Sequence, residues 1–410
     1  MAYNSACPYT YSTFPNGLRL VHVRRKGEVE YFGMVINTGS RDENENEHGL
    51  AHFVEHTIFK GTRKRRSWHI INRMESVGGE LNAYTTKEET VLYTVFPKGN
   101  LHRAAELCSD LISASVFPEK ELKKEREVVK DEICSYLDSP SESIFDDFDE
   151  RIFAGSSMAH NILGSEKNVD SFTSNDCRRW IDSRYSHENI IIFYTGASGE
   201  LRVREMVNDY FGFFNHPASV FSRTTPLINC RFDLSIEKSL HQNHTVAGVR
   251  VPGITSPLRP AVALLCNMIG GPGMNSILNL EMREKRGLVY SVDASSVFYS
   301  DCGLLSIYYG CDHEESEKCR DILRNSLGTL HTGITPRKLE SAKKQLIGQL
   351  ALARQNGENN AISSARQILY FGKVASPKQS EEEIRAITMD DFWEAAANLT
   401  QDNLSFLSFK

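Results

Sequence analysis

The stretch HGLAHFVEHTIFKGT (48–62) carries the reading of this chain. Leu50, Phe53, Val54 and Ile58 recur at helical spacing, so a helix with one apolar stripe is predicted, and Gly61 can stop it. His52 and His56 are four residues apart and therefore sit one turn above each other on a shared face. Two imidazoles so placed reach one tetrahedral Zn²⁺ at ligand distances of about 2.0–2.1 Å. Glu55 is adjacent to His56, but the helix turns it toward a metal-held water and not toward a ligand position. Such a water has its pKa lowered to about 7, and a neighbouring carboxylate takes its proton. The order HxxEH reverses the HExxH of the commoner zinc peptidases. His48 is also four residues from His52, but it is expected at the helix start, beside the polar run Asp42 to Glu47.

Two imidazoles leave such a metal under-coordinated, because catalytic zinc usually has three protein ligands and a water. The third is expected from another element, as a carboxylate. The segment EKELKKEREVVKDEICSYLD (119–138) is predicted as a helix with Leu122, Val128, Val129 and Ile133 on its apolar side. Glu125 and Glu132 are seven apart and share a face. One of them can ligate while the other supports a ligand from outside.

Around these helices the chain repeats itself. The run 101–133 reads as helix, Pro118, helix, and the run 315–350 has the same plan with Pro336 in the equivalent place. A second pair, 144–196 and 361–409, reads in both cases as helix, loop, helix and closing strand. Duplicated domains of about 200 residues are therefore expected, a longer unit than a solenoid repeat. The seam falls near 217–235, which is loop-like, giving domains 1–220 and 230–410. Period-2 stretches at 90–96, 190–196 and 304–310 are predicted strands. The expected class is α+β: two homologous domains, each a mainly antiparallel sheet packed with helices.

The 410 residues exceed what one core usually serves, which agrees with two domains. A net charge of -6 gives no sign of a nucleic-acid or anionic-membrane partner. The basic run KGTRKRRS (60–67) reads as a solvated loop, and GGPGMNS (270–276) lacks the ending of a phosphate loop. No apolar run approaches the ~18 residues of a membrane span. The first ten residues carry no secretory pattern. Nine scattered cysteines without a CxxC point to reduced thiols, so a cytoplasmic location is expected.

Taken together, these residues resemble the pitrilysin/insulinase family of zinc peptidases, in its short two-domain branch related to mitochondrial processing peptidase. HFVEH is followed by Glu132 at the spacing where that family places its third ligand, and Glu125 falls on its supporting acid. NTGSRDENENEHGLAHFVEHTIFKGT (37–62) resembles the family's first helix and lead-in strand. GGELNAYTTKEETVLYT (78–94) resembles its substrate-binding edge strand. LEMREKRGLVYSV (280–292) resembles a second-domain motif in which an Arg and a Tyr seven apart bind substrate, here Arg283 and Tyr290. The resemblance implies a metalloendopeptidase with one Zn²⁺ per chain on His52, His56 and Glu132, and Glu55 as base. It implies that an extended peptide lies beside Asn82 and Ala83, with Asn82 touching the water or the scissile carbonyl. It further implies a chamber closed by two chains. Because zinc motif and Arg–Tyr pair occur together here, a homodimer is expected; a heterodimeric processing subunit or a non-catalytic member are the alternatives. When the halves are aligned on Leu122 and Leu339, Gln349 stands opposite Glu132 and Ala342 opposite Glu125. The C-terminal half is thus expected to be inactive and to position substrate.

Overall fold

A computed structural model describes residues 9–214, 216, 222–227, 231–400 and 403–410. Of the expected seam, 217–221 and 228–230 lie outside the described residues, as do the first eight residues of the N-terminal segment.

The first sheet has six strands: β1 (Tyr9–Thr13), β2 (Arg19–Arg24), β3 (Val29–Ile36), β4 (Glu80–Thr85), β5 (Thr90–Pro97) and β6 (Ile190–Gly196). They lie in the order β1-β2-β6-β3-β5-β4. Only β2 and β6 pair in parallel; the other pairings are antiparallel. The second sheet holds β7 (Asp233–Ile236), β8 (Asn243–Val251), β9 (Val289–Phe298), β10 (Gly303–Cys311) and β11 (Ser405–Phe409). Its order is β7-β11-β8-β10-β9, again with one parallel pair, β7 and β11. Setting β1 aside, the two orders are the same: first, last, second, fourth, third along the chain. The duplicated plan read from the sequence thus has a topological counterpart, and the class is α+β.

Helices cover both sheets. On one face of the first sheet lie α1 (Leu50–Thr57), α2 (Ser67–Glu75), α3 (Leu101–Ala114) and α4 (Glu119–Leu137). Phe53, Val54, Leu107, Leu111, Leu122 and Val129 from these helices share a core with Phe32, Met34 and Ile192 of the strands. The opposite face carries β-branched and aromatic residues as well, among them Val21, Val35, Val91 and Phe193. A strand buried on both faces is apolar throughout, and β6, IIIFYTG, is fully buried along its length.

That opposite face is covered from the far end of the chain. Ala361, Ile362, Ala365 and Ile368 of the helix Gly357–Phe371 pack against Val21, Val35, Val91 and Phe193. Reciprocally, Ile144, Phe148 and Ile152 of α5 (Pro140–Ile152) pack against Val246, Leu304, Leu407 and Phe409 of the second sheet. The compact units follow this exchange. One holds the chain up to Cys134, then His160–Arg223 and Ala353–Val374; the other holds Ser135–Ala159, Thr224–Leu352 and the chain from Ala375. A single cut between 220 and 230 therefore does not describe the units. Amphipathic spacing shows that a helix has a buried face, not which sheet receives it.

Candidate metal centre

α1 follows the predicted pattern: Leu50, Phe53 and Val54 are buried, and His52 and His56 rise from the same side. α4 supplies the carboxylates. Its buried residues are Leu122, Glu125, Val129 and Ile133, a 3.6-residue stripe. Val128, expected on that stripe, is 48% exposed, because it lies about 100° round the helix from Val129. Glu125 takes the buried place instead.

The structure brings His52, His56 and Glu132 together, with one ligand atom from each inside 4.8 Å of the others. His56 Nε2 lies 3.3 Å and His52 Nε2 3.8 Å from the same Glu132 oxygen. Bonds of about 2.0–2.2 Å in a tetrahedron put ligand atoms about 3.4 Å apart, so these separations suit one ion. Two imidazoles and a carboxylate form a known catalytic zinc set, leaving a fourth position open. The residues present fit Zn²⁺.

The surroundings set protonation. Burial, and then the charge of His56, push His52 down to about 3, so its imidazole is neutral, as a ligand must be. Burial alone would lower His56. Contact with Glu125 and the charges of Glu55 and Glu132 outweigh it and raise His56 overall. Glu125 stands 3.5 Å from His56 Nδ1, and Lys60 Nζ lies 2.7 Å from its other oxygen. Burial would raise Glu125, but these two partners hold its carboxyl below the usual range. It therefore stands behind His56, outside the group of His52, His56 and Glu132.

Glu55 is raised above the usual carboxylate range, first by burial and also by the charge of Glu132. The Thr85 hydroxyl donates to Glu55 Oε2 at 2.8 Å and opposes that rise. Thr85 ends β4, an edge strand of the first sheet, so one hydrogen bond links Glu55 to the strand edge. Leu81 and Ala83 pack on the core beneath α1, whereas Tyr84 packs on the opposite face. Alternation puts Asn82 with Tyr84. The two substrate contacts expected on β4 thus leave from different faces, and the Asn82 side chain points to the face away from α1.

Arg283 and Tyr290 lie in the second unit. Arg283 is on a π-helical turn, Asn279–Glu284, and is exposed. Tyr290 is the second residue of the edge strand β9 and is 65% exposed, unusual for so large an aromatic. His48 is outside the ligand set and stacks on His160, with ring centroids 3.7 Å apart. The sequence reading missed Lys60 and Thr85. Neither belongs to a metal-binding spacing, and the Thr85 contact spans thirty residues.

Comparison with known proteins places this geometry. Residues 21–166 match the model of Insulinase (Peptidase family M16), and residues 171–346 match that of the Peptidase M16 inactive domain. An uncharacterized zinc protease of Streptomyces coelicolor is 30% identical over 93% of this chain and 84% of its own. The uncharacterized zinc protease YmxG of Bacillus subtilis is 29% identical over 92% of each chain. Among solved structures, a protease from Helicobacter pylori superimposes with a TM-score of 0.86 at 18% identity, over 98% of this chain and 99% of that one. A peptidase M16 inactive domain from Pseudomonas fluorescens gives 0.88 at 16%, over 98% of each. The fold is that of two-domain M16-type peptidases, and the chain belongs to peptidase family M16, in its short two-domain branch, among relatives named zinc proteases. Its second half matches the part of that family described as inactive. Among the described residues, only His52, His56 and Glu132 form a metal-binding group. No described helix is long and apolar enough to cross a membrane.

Proposed function

We propose that this chain is a zinc metalloendopeptidase acting on peptides or unfolded protein segments held in extended form. The observation that carries the reading is the convergence of His52, His56 and Glu132 on one point, with Glu55 beside them. Bound there, Zn²⁺ supplies Lewis acidity, polarising a carbonyl and acidifying water. Glu55 takes the proton of the attacking water and passes it to the leaving amine nitrogen. Its raised pKa suits both steps, since a base must also be an acid on the return. Glu125 steadies His56. The peptide adds as a strand along β4, at the backbone edge of Asn82 and Ala83, which gives affinity with little demand on side chains.

Arg283 and Tyr290 are proposed to complete the chamber, Tyr290 donating its hydroxyl to the developing oxyanion and Arg283 holding substrate carbonyl or carboxylate groups. Their exposure supports this, as does the absence of a second ligand set in the C-terminal half among the described residues. We place them across a homodimer, each copy finishing the site of the other. We also propose a cytoplasmic location, on the ground of nine scattered cysteines in a sequence without a CxxC.

The test is direct. Purified chain should hold about one zinc and cleave members of a quenched-peptide library, with activity lost to a chelator and regained with zinc. Glu55→Gln should lower cleavage by about 10²–10⁴-fold while zinc content stays unchanged. Cleavage that survives zinc removal would overturn the reading.

A further inference from the structure

The helix that carries both histidines begins without a cap of its own. Gly49 stands at the N-cap in the left-handed region, φ 97°, and makes no side-chain cap bond. No other residue fits there easily, because a Cβ would lie 2.6 Å from the Leu163 carbonyl oxygen. The first N–H groups of any helix lack partners within it and are normally met by a side chain at the cap.

Here they are met from outside the helix. Glu43 Oε2 accepts from Gly49 N at 2.9 Å, and Oε1 from Ala51 N at 2.7 Å. Glu43 is buried. Burial pushes the Glu43 carboxyl well above the usual carboxylate range and the Ala51 and Gly49 amides pull it back down, so its hold on the first turn is this pair of hydrogen bonds. Its own place is fixed: His160 Nε2 lies 3.0 Å from Glu43 Oε2 and 2.9 Å from the Ser40 carbonyl. With two acceptors before it, that nitrogen carries the hydrogen. His160 is in turn stacked on His48, the residue just before Gly49.

A second observation concerns His52. Metal-binding histidines usually give their other ring N–H to a carboxylate, carbonyl or water, which fixes the ring. His52 Nδ1 is buried and has no hydrogen-bond partner among the described residues. No hydrogen bond from those residues fixes this ring from behind, so its aim depends on the backbone beneath it. That backbone is the first turn of α1, whose Ala51 amide Glu43 grips one residue earlier.

We infer that Glu43 is a positioning residue for the metal centre, fixing the first turn of α1 and through it the His52 ring, in place of the outer hydrogen bond that His52 lacks. The inference rests on the metal reading proposed above.

The experiment uses the full chain with Glu43→Asp, Glu43→Gln and Glu43→Ala. Glu47→Gln, on the same loop but bonded to Asn44 and Arg179, is the control. Zinc affinity is measured by competition with a chelator, amide exchange at Ala51 in metal-free protein, and thermal midpoint alongside. Glu43→Ala should bind zinc about 10–100-fold more weakly, the range seen when supports of metal ligands are removed. Glu43→Gln should fall between it and wild type, Ala51 exchange should accelerate in the same order, and the control should match wild type. Should the alanine variant fail to fold, the Gln and Asp variants carry the comparison. A purely structural role would lower the thermal midpoint while leaving zinc affinity of the folded protein unchanged, and that result overturns the inference alone. Failure of the wild-type chain to bind zinc would overturn the metal reading with it.

Discussion

Glu55 is pulled two ways, upward by burial and the charge of Glu132, downward by the hydroxyl of Thr85. A base acts only when ionised, so activity should rise with pH as Glu55 loses its proton, and the acid limb should lie above the ordinary carboxylate range. Thr85→Val removes the bond that favours the charged form. The limb should then shift to higher pH, and Thr85→Ser should restore it, as read from kcat/KM against pH. An unshifted limb would detach Thr85 from the base. At this scale the candidate ligands were partly legible and their surroundings were not. His52 and His56 stand out by a four-residue spacing on one helix face, whereas the seven-residue spacing of Glu125 and Glu132 leaves the choice between them open, and only the family resemblance pointed to Glu132, the one that the structure groups with the histidines. Thr85, Lys60 and Glu43 act across loops and strands, where sequence separation carries no geometric signature. Val128 misled because it is apolar, while the turn of the helix assigns its buried place to Glu125.

Strands and helices as elements were largely readable. The stretch 90–96 lies in β5, 190–196 is β6, 304–310 lies in β10, and the helix expected over 119–138 spans Glu119–Leu137. The helix had its 3.6-residue period, while the strand runs were marked less by alternation than by their shortness and their β-branched and aromatic residues. Destination was not readable, since α5 and the helix Gly357–Phe371 exchange sheets. Phe148 lies at the centre of one exchange: it is 1% exposed, and a Cβ on Gly248 of β8 would lie 3.0 Å from its ring. Phe148→Ala should destabilise the second unit by about 3–5 kcal/mol, the usual cost of emptying an aromatic core site. Denaturant unfolding followed by a probe in that unit would measure it. A loss typical of surface substitutions would mean that α5 is not a true part of that core.

At the scale of the whole molecule, the proposal of a shared site makes a prediction that neither half makes alone. Glu55→Gln and Tyr290→Phe each disable one contribution. In a symmetric dimer, mixing the two inactive variants in equal amounts under exchange should restore about a quarter of the sites, since half the dimers are mixed and one site in each is intact. Cleavage by the mixture well above the sum of the separate variants would support sharing between copies. No recovery in mixtures shown by sedimentation to be dimeric would place Glu55 and Tyr290 within one chain. The duplicated topology was foreshadowed by the paired prolines in the sequence, and the missing carboxylates at Ala342 and Gln349 agree with the match of residues 171–346 to a domain described as inactive. The exchanged helices add a dimension of time to this architecture. The strands β1 to β6 leave the ribosome early, yet one of their faces stays bare until residues 357–371 have been made. At about 5–20 residues per second, that delay is on the order of ten seconds or more. The unit that holds His52, His56 and Glu132 can therefore reach its full stability only after residues 357–371 have been made.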